Sequence, residues 1–178
     1  MTKTETKKLF VAIQKHDHET VFSIIEKNEG AIESVGQHNA YCRDKTPLMF
    51  AMQCEDFELA YKLMDIGANV RAKMLDGPES SVIQLAASFG HSLNPNFDKW
   101  IGLIQRLIEN GANPTEALWS ACNAYSKTSD RIEIISLLIK SGASLNAQVG
   151  NSGNTVRELV KINSHLYSSH ALALLGVN

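Results

Sequence analysis

The chain is short of net charge, of cysteine and of long apolar runs, and each scarcity removes a class of function. Seventeen Lys and Arg stand against nineteen Asp and Glu, a formal charge of -2, so no global field recommends nucleic acid or an anionic membrane as a partner. Cys42, Cys54 and Cys122 are odd in number and far apart, which argues against a disulfide framework or a zinc knuckle and suits a reducing compartment. No stretch of about eighteen apolar residues occurs, so no membrane span is expected. The polar, basic start at residues 1–8 is not followed by an apolar run of about seven or more residues, so no secretory signal is expected either. A cytoplasmic location follows as the expectation, the cytosol of a host being equally open to an exported effector.

Signatures of chemistry are missing as well. Neither G-x-x-x-x-G-K-[ST] nor G-x-G-x-x-G is present, so nucleotide phosphates have no visible cradle, and the glycine-rich stretch 150–154 is explained by a turn. Cys54 or Cys122 can be paired on paper with one of six histidines, yet no catalytic signature surrounds either; buried or idle thiols are expected. His16 and His18 are two apart and are expected to point in different directions. His165 and His170 are five apart, not the three or four that set two ligands on one helix face. Lys3, Lys7 and Lys8 are too few for nucleic acid and read as solvated. These readings predict no enzyme, no catalytic residue, no cofactor and no metal.

What is present is a repeat. With 178 residues, 44% of them hydrophobic, the chain suits one compact domain or one short array. Three segments end alike: Leu63-Met64-Asp65-Ile66-Gly67-Ala68-Asn69, Leu107-Ile108-Glu109-Asn110-Gly111-Ala112-Asn113 and Leu138-Ile139-Lys140-Ser141-Gly142-Ala143-Ser144. Their beginnings match too, in Thr46-Pro47-Leu48-Met49-Phe50-Ala51 and the degraded copies starting at Ser81 and Thr155. Thr46 can cap a helix start and Pro47 fits the first helical position, where its missing donor costs nothing. Gly67, Gly111 and Gly142 suit the left-handed residue that closes a helix. Between start and stop, apolar residues such as Leu59, Ala60, Leu63 and Met64 recur at helical steps and need a neighbour to cover them.

These residues resemble the ankyrin repeat, a module of about 33 residues with a TPLHxA-type first helix, a second helix ending in a leucine pair, and a Gly-Ala-Asp/Asn turn. The resemblance implies an all-α fold, an ankyrin-repeat solenoid of helix-turn-helix pairs with short β-hairpin-like fingers. It spans a single domain over 1–178, in repeats near 6–40, 41–73, 74–114, 115–147 and 148–178. The first repeat lacks Thr-Pro and the last ends at Leu172, Leu174 and Leu175 without a glycine turn, as terminal caps do. The family's TPLH histidine is replaced by Met49, Gln84, Trp119 and Glu158, so its side-chain hydrogen bond is expected to be lost. Arg157 replaces a core leucine and is expected to face solvent. His91 and His165 fall at the Gly-His position, where a local capping role is implied.

Spacing breaks in two places. Gly67 to Gly111 is 44 residues, about eleven more than the period, and Gly111 to Gly142 is 31, about two fewer. About nine extra residues fall near 92–100, predicting a long loop between the helices of the third repeat; residues 125–129 make a smaller extension in the fourth. Asn113-Pro114-Thr115 runs almost straight into a helix, so a finger is expected to be missing there. The extra residues read either as drift in a connection or as a protrusion using Phe97 and Trp100 as an aromatic anchor pair.

The resemblance further implies a partner on the concave face, made of finger tips and first helices. Carried over by position, the fingers present Tyr41, Arg43 and Lys45, then Lys73, Met74, Leu75 and Asp76, then Gln148, Val149 and Asn151. The first helices present Gln14 and Lys15, Gln53 and Cys54, Ser88 and Phe89, and Asn123 and Ala124. Tyr41, Arg43, Phe89 and Met74 stand out, because aromatic and arginine side chains give the most contact per rotamer frozen. Each also has a packing explanation: Tyr41 against its own finger, Phe89 under the 92–100 loop. The expected function is therefore a monomeric protein-binding module, an adaptor, inhibitor or effector subunit. An antitoxin-like inhibitor of a toxic enzyme is the narrower alternative. An enzyme or small-molecule binder in the irregular third and fourth repeats is the rival of a different class.

Overall fold

The computed structural model describes residues 1–74, 80–125, 131–150 and 152–177. It is mostly helical, and among the described residues it has no strand, only isolated bridges. Two compact units divide the chain, Met1–Val82 and Ile83–Asn178. The first holds α1 (Lys3–Gln14), α2 (His18–Lys27), a 3-10 turn (Ala31–Glu33), α3 (Pro47–Gln53) and α4 (Phe57–Asp65). Apart from Val82, the second holds α5 (Val82–Phe89), α6 (Phe97–Glu109), α7 (Pro114–Asn123), α8 (Ile132–Lys140), α9 (Val156–Ile162), the 3-10 turn Ser164–Leu166 and α10 (Ser169–Leu174). In the first unit α1 packs on α2, α3 on α4, and α1 on α3; in the second α7 packs on α8, α6 on α8, and α7 on α9.

Caps set these boundaries. Thr46 accepts the Met49 N–H at 3.4 Å ahead of Pro47, and Asp17, Asp56, Asn113 and Ser168 cap their helices in the same way. After α4, the N–H of Ala68 donates to Leu63 O and that of Gly67 to Met64 O. Ala112 and Gly111 repeat this pair of bonds after α6, and Ala143 and Gly142 after α8. The glycines have φ of 94, 92 and 92°, the left-handed turn that lets two otherwise orphaned carbonyls be satisfied. At Asn113 the chain passes from this turn directly into the cap of α7, so no finger intervenes there.

Four expectations need correction. A glycine turn does close α10: Gly176 has φ 61°, and Val177 N–H donates to Leu172 O as Gly176 N–H does to Ala173 O. Arg157 does not simply face solvent, because its Nη1 donates to Gly176 O at 2.8 Å and caps that same turn. A side-chain hydrogen bond is not lost at Glu158, whose carboxylate accepts from Thr155 N–H at 2.7 Å and Thr155 Oγ1 at 2.9 Å while Thr155 caps the helix. The extra residues near 92–100 are partly helical. Against nine residues in α4 and in α8, α6 has 13 and begins at Phe97, so about one turn of the insertion prolongs the helix.

Fully covered side chains form the cores. Leu9, Phe10, Ile13, Leu48, Met49, Met52, Leu59 and Leu63 fill the first unit; Trp100, Leu103, Ile104, Leu107, Ile134, Ile135 and Leu138 fill the second. Each large apolar side chain so buried contributes about 1.5–3 kcal/mol relative to exposure. Among the described residues, no helix is long and apolar enough to cross a membrane.

Candidate protein-binding surface

The loop 36–45, where the first finger is expected, is built by its own backbone. Gly36 N–H donates to Lys45 O and Asp44 N–H to Gly36 O, both at 3.0 Å, closing residues 36–45 into a loop. Inside it Asn39 Oδ1 accepts from the N–H groups of Tyr41 and Cys42, both at 3.0 Å. A Cβ at Gly36 would run into the Cys42 carbonyl, so glycine is needed for this close approach. Tyr41 stands 67% exposed at the tip, with Arg43 exposed beside it. Lys45 is half-buried, its Nζ tied back to Tyr41 O at 2.9 Å. A ring held out by a hydrogen-bonded loop loses little freedom on binding.

Elsewhere the candidates divide by burial. Gln14, Lys15, Ser88 and Asn123 are exposed, whereas Gln53, Cys54 and Ala124 are half-buried at the ends of α3 and α7. Gln53 Oε1 is buried without a hydrogen-bond partner among the described residues. Lys73 is exposed and Met74 half-buried in the second finger, where Met74 N–H donates to Ser80 O at 3.1 Å. In the finger before α9, Gln148 is exposed and Val149 half-buried, with Val149 N–H on Asn154 O at 3.0 Å. Leu75, Asp76, Asn151 and most of the 125–129 extension lie outside the described residues.

Of the expected anchor pair Phe97 and Trp100, the tryptophan is not presented to a partner. Trp100 is fully buried, and Phe89 is half-buried with its ring 5.6 Å from the indole. Amphipathic spacing carries the reason: Trp100, Leu103, Ile104 and Leu107 form one stripe of α6, so the indole belongs to the core face. Phe97 is half-buried at the helix start, lining a pocket of about 260 Å³ with Ile132, Glu133 and His170.

Two clusters escaped the sequence reading. His16 and His18 do not point apart: His16 Nδ1 and His18 Nε2 both reach Asp56 Oδ2, at 2.9 and 2.8 Å. His16 sits in a left-handed turn with φ 56° between α1 and α2, so helical spacing does not govern the pair. Burial raises the Asp56 carboxyl, but hydrogen bonds from His18 and from Leu59 N–H outweigh it and hold the group below its ordinary value. The second cluster joins Cys42 Sγ to His38 Nδ1 at 3.2 Å. Four-residue spacing with Asn39 between them was its available signal.

Two of the three thiols are pushed away from the thiolate form. Burial pushes the Cys122 thiol up to about 12, and burial followed by the Asp56 charge raises Cys54. Among the described residues, no group of three His, Cys, Asp or Glu side chains is arranged to hold a metal ion. His91 Nδ1 is buried with no hydrogen-bond partner among the described residues, against the capping role implied for it. Compared with known proteins, the chain matches no protein-family model and no curated protein.

Proposed function

We propose that this chain is an ankyrin-type repeat protein that captures another protein on its finger tips and first helices, and that binding rather than catalysis is its work. The reading draws its support from the same glycine turn closing three helices at Gly67, Gly111 and Gly142, followed in the first unit by a finger before the next helix. The observation that carries the binding part is Tyr41, an aromatic side chain 67% exposed on a loop fixed by Asn39 and Gly36. Large exposed aromatics on rigid supports are the usual centres of interface energy.

The test is capture from a lysate of the native cells, followed by affinity measurement with the recovered partner. Replacing Tyr41 and Arg43 together by alanine is expected to leave helical circular dichroism unchanged and to weaken the complex by roughly thirtyfold or more, the scale of one interface hot spot. Undiminished affinity would move the site off this finger.

A further inference from the structure

A cleft of about 530 Å³ opens in the first unit between α1 and residues 29–38. Its α1 wall carries Lys3 and Lys7, both exposed and without a hydrogen-bond or ion-pair partner among the described residues. Like charges four apart on a helix destabilise it by about 0.2–0.5 kcal/mol, so the arrangement is unfavourable until an anion joins it. The facing wall offers donors: Ser34, Gln37 and His38. Ser34 Oγ is buried and has no hydrogen-bond partner among the described residues, a state that costs a folded protein about 1–3 kcal/mol. The His38 ring is held by Cys42 Sγ, 3.2 Å from its Nδ1. Glu29 is the one acidic side chain among the described residues of the lining.

Gln37 and His38 belong to the same hydrogen-bonded loop 36–45 that carries Tyr41, so one loop supplies both the cleft wall and the exposed ring. We propose that the cleft takes an acidic peptide segment of the partner, with Lys3 and Lys7 on its carboxylates and Ser34 donating from the wall. This rests on the protein-binding reading and names the chemistry of what is held.

The probe is fluorescein-labelled hexaglutamate, with labelled hexalysine as its counterpart, followed by anisotropy with the full chain. Hexaglutamate is expected to bind, more weakly as salt rises, and hexalysine to be ignored. The Lys3→Glu/Lys7→Glu variant is expected to lose about tenfold or more, roughly 1.4 kcal/mol, with circular dichroism unchanged. Ser34→Ala, which leaves the charges in place, is expected to lose about threefold, in keeping with one hydrogen bond. Equal binding by the double-charge variant, or by hexalysine, overturns the proposal. Full displacement of the peptide by millimolar inorganic phosphate assigns the cleft to a free anion and overturns it too. If capture of the native partner survives Lys3→Glu/Lys7→Glu but not Tyr41→Ala/Arg43→Ala, the cleft assignment fails and the protein-binding reading stands.

Discussion

Asp56 combines two tasks in one carboxylate: Oδ1 accepts the Leu59 N–H at 3.1 Å and caps α4, while Oδ2 holds both His16 and His18. The group therefore fastens the turn after α1 to the start of α4. Losing a cap costs about 0.5–2 kcal/mol, and unpairing two imidazoles adds to it, so Asp56→Ala is expected to lose about 2–3 kcal/mol in urea unfolding. The sign of its pH dependence follows from the depressed carboxyl. Its stabilisation is complete above the unfolded value near 4 and disappears as pH falls through the lower folded value. The stability gap between the native chain and Asp56→Ala is therefore expected to narrow below about pH 4. A gap that held constant into strong acid would show that the carboxylate charge is not what these contacts use.

At the scale of the helical element, the recurring motif is the left-handed stop, and the chain fills it in two ways. Gly67, Gly111, Gly142 and Gly176 serve it after α4, α6, α8 and α10, but Glu55 serves it after α3 with φ 55°. There Asp56 N–H donates to Ala51 O and Glu55 N–H to Met52 O, the bonds seen at the glycines. A side chain in this region costs about 1–2 kcal/mol, part of which is returned because glycine is freer when unfolded. Glu55→Gly is expected to stabilise by about 0.5–1 kcal/mol, and Gly67→Ala, whose Cβ would meet nothing within 4 Å, to destabilise by about the same amount. Thermal melts read both. A stabilising Gly67→Ala would contradict the motif, since nothing else at that site resists a methyl group. The regularity was legible because a stop is written locally, in one glycine after a leucine pair. The Gly176 copy was missed because the preceding helix has only six residues, too few to display a period.

At the scale of the whole molecule, each of the two units has its own core and its own fastening. In the second, Arg131 is only 5% exposed and donates to the carbonyls of Ala124 and Ser88, the latter at 3.1 Å. Those carbonyls end α7 and α5, where a cation meets the negative pole of a helix. Arg131→Met keeps the aliphatic bulk but removes both donations, and is expected to cost about 3 kcal/mol. Hydrogen exchange should show the loss in α5 to α8, with α1 to α4 little changed; equal loss in both units would mean that they unfold as one. Sequence alone determined the mostly helical character, the glycine stops after α4, α6 and α8, and the direct passage at Asn113 into α7, because capping and period act over a single turn of chain. Tertiary structure alone decided that His16 and His18 meet on a residue about forty positions away and that Arg131 bridges two helix ends. Such outcomes depend on which distant surfaces come together, and no local pattern of residues encodes that.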